Sequence, residues 1–534
     1  MSEVPGAHLA ARAGAPPEVP SARLRRGQVS PWATLAVLCS SLVVVNLDTT
    51  VLNVALPTLV RDLHAGTSQL QWVVDSYSLV FGGLLLVAGS LADRAGRKRT
   101  FVLGLSAFAA GSAWAAFSGS VGMLIAARAG MGVGAAFMMP STLSIITDVF
   151  RDPLQRQRAI AVWAGATGVG FALGPVVGGI LLAHFWWGSI FLVNVPIALL
   201  AVLLAVPLVP DSKNPETLPP DVAGAAMSVS GVGLLLWAII EAPAQGWTSA
   251  FVIGPGAAGV ALLAAFAAWE RRSSHPMLNL GFFRRRGFSM AVVPVGLVMF
   301  GLIGSLFMLS QFLQFELGYS ALQAGVRLLP IAAVLAVVAP LSAALNHLVG
   351  TKLTTAAGML LAAAGLWAMS RATVGWHYTD ILPAIVVVGA GAALVMPSVS
   401  ASVMSSVPPS QTGVGSATNG TFIQVGGAIG VAVIGSLLST RYQGRMLSAI
   451  APYHLPSAVS ATVTGSIGGA LQVARQLGGA GGHLLATTAR SAFVSGSDLG
   501  LLPGALVVLA GCAVALIGLP ARPYADKRGR PGRP

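Results

Sequence analysis

Apolar residues run through this chain in long stretches broken by short polar segments. The stretches are apolar on every side, unlike the single stripe of a surface helix or the alternation of a half-buried strand. A helix needs about 20 such residues to cross the hydrocarbon core of a bilayer. On that measure about fourteen spans are expected, at 33–57, 72–92, 100–117, 121–146, 159–183, 189–209, 222–243, 251–269, 288–315, 322–345, 352–371, 380–404, 411–438 and 500–520. The segment 440–499, rich in Gly, Ala and Ser with helical patches, is expected to form a long outer loop.

Composition agrees with a lipid environment: 55% of the 534 residues are hydrophobic, only 9% are charged, and the mean hydropathy is +0.79. The chain reads as an all-α polytopic membrane protein. An even number of spans puts both termini on one side. That side holds Arg94, Arg97, Lys98, Arg99, Arg151, Arg156, Arg158, Lys213, Arg271, Arg272, Arg284, Arg285, Arg286, Lys352 and the basic residues of both tails. The other side holds Arg61, Arg327, Arg371, Arg441, Arg445, Arg475 and Arg490, so the termini are expected in the cytoplasm. The formal charge of +14 does not indicate nucleic acid, because the basic residues are scattered between apolar runs instead of forming one face. Cys39 and Cys512 lie inside apolar runs and the histidines are dispersed without ligand spacing, so no disulfide, metal or cofactor is expected. The run after Trp32 reads as a retained first span, not a cleaved signal peptide.

The spans are organised by an internal repeat. LADRAGRKRT at Leu91–Thr100 returns as LNHLVGTKLT at Leu345–Thr354, and Met139-Pro140-Ser141 returns as Met396-Pro397-Ser398, each after about 255 residues. That distance corresponds to about eight spans, which implies two six-helix halves of like orientation with two helices inserted between them. The expected organisation is a cytoplasmic tail 1–30, a first half 31–212, a linker and inserted pair 213–286, a second half 287–521 that includes 440–499, and a basic tail 522–534.

Five segments carry charge or regularly spaced glycine within or between the spans. GSLADRAGRKRT packs Gly89, Asp93, Arg94, Gly96, Arg97 and Lys98 between two spans, and must form a short cytoplasmic loop whose glycines let the backbone turn. LDTTVLNVALP sets Asp48 within the first span, where a carboxylate costs about 2.5–3.5 kcal/mol on insertion scales and so faces protein or water. At about 100° per residue, Asn46, Thr50 and Asn53 share one face while Asp48 points nearly opposite. A helix polar on two sides belongs inside the bundle. LIAARAGMGVGAA sets Arg128 in the fourth span, level with Asp48 at about 9–14 Å from the outer end. WVVDSYSL sets Asp75 about one turn below the outer surface, near Trp72. GVGFALGPVVGG carries Gly170, Gly174 and Gly178 at spacings that make a helix-contact seam, with Pro175 adding a kink and Gly179 beside it. Structural alternatives stay open: Asp48 as a hydrogen-bond anchor, Asp48 and Arg128 as a permanent lock, Asp75 as a solvated helix-end acid, Trp72 as an interfacial anchor.

Together these segments resemble the major facilitator superfamily. Gly89–Thr100 is similar to its signature loop between the second and third helices, and Leu47–Pro57 to the first-helix motif of its fourteen-span drug/proton antiporter branch. Arg128 with its spaced glycines is similar to the fourth-helix motif, and the Gly170 to Gly179 segment to the antiporter motif of drug exporters. The resemblance implies a major facilitator fold and a proton-coupled exporter of lipophilic, cationic or amphiphilic drugs across a bacterial cell membrane, acting as a single chain with drug and protons as partners. It assigns proton coupling to Asp48, Asp75 and Arg128, gating to the signature loop, and a substrate cavity to Asn53, Trp72, Asp75, Gln311, Gln314, Asn419, Phe422 and Gln424. The chain departs from the family at Gly188, where Arg is usual, and in its tenth span, which has Arg327 and no acid. No GxxxxGK[ST] phosphate loop is present, so ATP is not the driver within this chain. An uptake permease of the same fold and a membrane-embedded lipid-modifying enzyme are the competing readings.

Overall fold

The computed structural model describes residues 30–213, 220–273, 276–278, 280–284, 286–407 and 412–519, and among them there is no β-strand. Both tails, the linker residues 214–219 and Arg285 lie outside the described residues. The first half consists of α1 (Pro31–Leu63), α2 (Thr67–Ala95), α3 (Arg97–Ala116), α4 (Val121–Val149), α5 (Pro153–His184) and a sixth span in two pieces, α6 (Ser189–Leu192) and α7 (Asn194–Leu208). Between the halves lie α8 (Val222–Gln245), α9 (Ala250–Arg272) and the short α10 (Leu280–Phe283). The second half has α11 (Arg286–Gln311), ending in a π-helical turn at Phe312–Glu316, then α12 (Ala321–Leu348), α13 (Thr351–Met369), α14 (Tyr378–Ser406) and α15 (Thr412–Ile450). It closes with α16 (Ser457–Gly465), α17 (Ile467–Leu477) and α18 (Gly479–Gly518).

Among the described residues, 13 helices are long and apolar enough to cross a membrane. The remaining expected span is α3, which packs against α4 and α7 in the bundle but is diluted by its RKRT start and by Gly and Ser. Helix starts follow local chemistry. Pro31 and Pro153 sit in the first turn, where a missing N–H is harmless, and Asp152, Ser120, Asp221 and Ser320 accept from backbone N–H groups three residues on at 2.8, 3.3, 2.8 and 3.2 Å.

The sequence repeat is reproduced in the packing. Gly96 and Gly350, shared by the two decapeptides, both take positive φ (111° and 87°) between consecutive helices. Thr100 and Thr354 then donate their hydroxyls to those glycine carbonyls, each at 3.0 Å. A Cβ on Gly104 would lie 2.8 Å from the carbonyl oxygen of Gly134, and one on Gly358 the same 2.8 Å from that of Gly391. In the first half α5 rests Gly170 and Gly174 on Val43 and Leu47 of α1; in the second α15 rests Gly426 and Gly430 on Gly296 and Phe300 of α11. The inserted α8 docks where the halves meet, against α2 and α15, through Leu79, Leu236, Ile240, Ala428 and Ala432.

The segment 440–499 is not a loop. Helix α15 continues to Ile450 and α18 begins at Gly479, and the short α16 and α17 join them. Ala, Gly and Ser lower hydropathy without ending a helix, and the segment finds partners: the Tyr442 hydroxyl donates to the Val463 carbonyl at 2.9 Å, and Gly468 sits on Val60 and Phe315. The α2–α3 turn thus marks one end of the bundle, the basic end, and α16–α17 mark the other, the hairpin end.

Candidate functional site

Asp48 is fully buried (0% exposed) and Arg128 nearly so (1%). Arg128 Nη1 donates to Asp48 Oδ2 at 2.5 Å, and Arg128 Nε donates to the Val73 carbonyl at 3.2 Å. The guanidinium lies 4.4 Å from the Tyr77 ring centroid and 5.8 Å from that of Phe191. The other carboxylate oxygen, Asp48 Oδ1, accepts from Asn194 Nδ2 at 3.0 Å, and Asn194 Nδ2 is also 3.5 Å from Ser112 Oγ. Side chains from α1, α2, α3, α4, α6 and α7 therefore converge on one carboxylate and one guanidinium. Asn194 opens α7 directly after Val193, which keeps helical backbone angles between α6 and α7; Pro196, two residues on, has no N–H for the Leu192 carbonyl. Asn194 and Ser112 were not singled out in the sequence. The signal for Asn194 was present, a lone amide in the run FLVNVPIALL.

The opposite face of α1 borders a recess between the halves. Thr50 and Asn53 line it, with Phe171, Ala172 and Pro175 of α5, Leu306 of α11, and Leu328, Ile331 and Ala332 of α12. The lining is apolar apart from the Thr and Asn groups and carries no charge. Of the residues expected to line the substrate cavity, Asn53 is the one that borders this recess. Gln314 instead donates to the Val54 carbonyl at 2.9 Å and Ser310 to that of Asn53, tying α11 to α1 on the hairpin side. Gln311 bonds back to the Phe307 carbonyl at 3.3 Å. Phe422 packs on Phe283 and Gly296, Gln424 on Gly82, and Asn419 lies 3.4 Å from Ser400 Oγ. Trp72 packs at the edge of the α8 contact. Gln314, Phe422, Gln424 and Trp72 thus sit at helix contacts, whereas Gln311 bonds within its own helix.

Asp75 departs furthest from the expectation of an acid near the surface. It is 0% exposed and neither carboxylate oxygen has a hydrogen-bond partner. The helices extend further at the hairpin end than hydropathy indicates, so even Gln71, one turn nearer that end, is buried and donates to Val431 and Ala432 carbonyls at 3.0 and 2.9 Å. Beyond it Thr67 Oγ1 donates to the Gly465 carbonyl of the hairpin at 3.0 Å.

In the signature loop, Arg97 Nε donates to Asp93 Oδ1 at 2.6 Å, and its Nη1 donates to Asp148 Oδ2 at the end of α4. Asp148 carries no local signal in the sequence, because its partner lies 51 residues away at the start of the preceding helix. A Cβ on Gly89 would lie 3.6 Å from Pro140 of α4, and Gly96 makes the turn; Arg94 is exposed and Lys98 half-buried. The α5 stripe serves two neighbours: Gly170, Gly174 and Gly178 meet α1, whereas Gly179 meets Leu322 and the Pro175 carbonyl meets Gly325 on α12. Helix α5 is thus clamped between the halves, next to the recess. No cluster of three or more potential metal ligands occurs among the described residues.

Residues 38–431 match the profile of the Major Facilitator Superfamily. The chain is 36% identical over 489 residues to the multidrug efflux pump LfrA of Mycolicibacterium smegmatis, covering 90% of this chain and 95% of that protein. It is 34% identical to the tetracenomycin C resistance and export protein of Streptomyces glaucescens, over 92% of each chain. It is 32% identical to the methyl viologen resistance protein SmvA of Salmonella typhimurium, over 87% of this chain and 93% of that one. Among solved structures, a bacterial homologue of the human lysosomal transporter Spinster superposes with a TM-score of 0.64 at 17% identity, covering 94% of this chain and 99% of that one.

Proposed function

The chain belongs to the major facilitator superfamily, and from that premise we propose that it exports lipophilic, cationic or amphiphilic drug-like compounds across a bacterial cell membrane in exchange for protons. It acts as a single chain, with the basic end and both termini in the cytoplasm, as the distribution of Lys and Arg favours.

The observation that carries this reading is the buried Asp48–Arg128 pair together with its absence from the other half. By the shared packing Gly301 of α11 takes the place of Asp48 and Ile385 of α14 that of Arg128, and Gly301 faces Leu366 and Val508 where Asp48 faces Asn194, itself bonded to Ser112. The same helix arrangement stands without any charge there. That the second half packs without the pair supports reading Asp48 as a carboxylate that alternates between ionised and protonated states, a use that would offset so costly a group. A proton on Asp48 removes the charge facing Arg128 and leaves a weaker, neutral-acceptor hydrogen bond between them, which loosens α1 against α4. The far face of α1 lines the recess, so a shift of α1 alters the surface a bound compound meets. Asp75, fully buried on α2 with neither oxygen hydrogen-bonded, adds a second carboxyl group suited to carrying a proton. The Asp93–Arg97–Asp148 cluster ties α2, α3 and α4 at the basic end and restrains the first half as it moves.

Asp48→Asn tests the reading, because the amide fills the same space and cannot carry a proton. In liposomes with an imposed pH difference, the full-length variant is expected to bind tetraphenylphosphonium, a lipophilic cation, yet fail to accumulate it. Accumulation at the wild-type rate would overturn proton coupling through Asp48.

A further inference from the structure

Asn194 uses its amide unevenly. Its Nδ2 meets both Asp48 Oδ1 and Ser112 Oγ, whereas its own Oδ1 is buried with no hydrogen-bond partner, in a side chain that is 0% exposed. An orphaned acceptor beside a group proposed to gain and lose a proton is a costly arrangement unless another state uses it.

The chemistry of Asp48 says which state. Its Oδ2 is held by Arg128, and a guanidinium offers five donors and no acceptor, so a carboxylic acid O–H cannot point there. The proton must sit on Oδ1, and the group facing Oδ1 is Asn194. A carboxylate only accepts, which is why the amide nitrogen faces it in the arrangement seen here. Once Oδ1 carries a proton, that nitrogen opposes an O–H, and half a turn of the amide brings the unused oxygen round to accept it. The charged group facing Asp48 is Arg128 of α4 and the titratable one is Tyr77 of α2. Helices α3, α6 and α7 present Ser112, Phe191 and Asn194, while α5, α11, α12 and α17 touch α1 through glycine or uncharged side chains.

We propose that Asn194 is a positioning residue that serves both protonation states of Asp48: it donates to Oδ1 of the carboxylate and, with its amide turned over, accepts the O–H of the acid. This rests on the reading of Asp48 as the proton carrier. The proton itself travels between water and Asp48 Oδ1, and Asn194 neither gains nor loses one.

The test uses the full-length protein in liposomes with three variants: Asn194→Leu, similar in shape with neither donor nor acceptor; Asn194→Gln, which keeps both; and Asn194→Asp, which keeps the volume. Three quantities are measured: tetraphenylphosphonium binding, its accumulation under a pH difference, and the pH profile of Asp48 modification by dicyclohexylcarbodiimide, which attacks protonated carboxyl groups, mapped by peptide mass spectrometry. Asn194→Leu is expected to keep binding within about twofold, to lose most accumulation, and to move the modification profile about one pH unit alkaline, since the ionised form loses the stronger bond. Asn194→Gln should restore much of both. In Asn194→Asp two carboxylates face one another and share a proton, so Asp48 stays modifiable to higher pH. An unmoved profile in both Asn194→Leu and Asn194→Asp overturns the proposal and reduces Asn194 to packing, as does an Asn194→Leu variant that accumulates the cation normally. If Asp48→Asn itself still accumulates the cation, the carrier reading falls and this proposal with it; if Asp48→Asn is dead and the profiles do not move, only the role of Asn194 falls.

Discussion

The two halves of this transporter share a backbone plan and differ in chemistry. Gly104 against Gly134 and Gly358 against Gly391 bring helix pairs to the same approach, and Gly96 and Gly350 make the same turn. Yet the first half buries Asp48, Asp75 and Arg128, whereas the place equivalent to the ion pair in the second is filled by Gly301, Leu366, Ile385 and Val508. The signature loop shows the same contrast. Arg97 bridges two carboxylates in the first half, and the residue after the shared glycine in the second is Thr351, buried and uncharged. The second half packs on its glycines without the charges, which supports the proposal that the charges of the first half are functional groups.

The largest effect that would break or sharpen this contrast is expected from Arg128→Ala. It strands a buried carboxylate, and should lower stability in detergent by about 3–5 kcal/mol. Asp48→Asn combined with Arg128→Ala should recover much of that loss, because the two act as one unit. At the equivalent place in the second half, Ile385→Val should cost only about 0.5–1.5 kcal/mol. Chemical unfolding of wild type, Asp48→Asn, Arg128→Ala, the double variant and Ile385→Val checks this, and equal losses for Arg128→Ala with and without Asp48→Asn would mean that the pair is not coupled.

Smaller in effect is the loop. Arg97→Ala should slow export about tenfold with binding affinity nearly unchanged, because it lies on the basic end and acts on the conformational step. Thr351→Ala should leave the rate close to wild type. Affinity lost in proportion to rate in Arg97→Ala would place the loop in the binding site instead. The smallest difference is expected at the turns themselves: Gly96→Ala and Gly350→Ala both force a side chain into positive φ and should each cost about 1 kcal/mol. A turn that tolerates alanine freely in one half and not in the other would show that the repeat is weaker than its geometry suggests.

Much of the site was legible before any contact was known. Asp48 and Arg128 stood out because a charge in an apolar run is costly wherever it faces, and helical periodicity alone put Asp48 opposite Asn53 and Thr50. The glycine stripe of α5 announced close approach, though not that Gly179 and Pro175 turn to α12 while the others turn to α1. Asn194 and Asp148 were hidden for a different reason. Each gains meaning only from a partner far along the chain, Asp48 in one case and Arg97 in the other. Gln311, Gln314 and Phe422 were expected at a cavity because polar or aromatic groups in a span suggest one, but a neighbouring backbone or ring satisfied each of them first.

The sequence by itself determined the spans, their repeat, the charge asymmetry between the two ends, and the family motifs, because each is a local or periodic property that hydropathy and spacing express directly. It also located the carboxylate and the guanidinium that lipid would not accept. Only the tertiary structure decided that 440–499 folds into helices over one end of the bundle, that Asp75 lies beneath them without a partner, and that Asn194 completes the shell of Asp48. Those outcomes depend on how helices rotate and pack against neighbours hundreds of residues away, which no window along the chain contains.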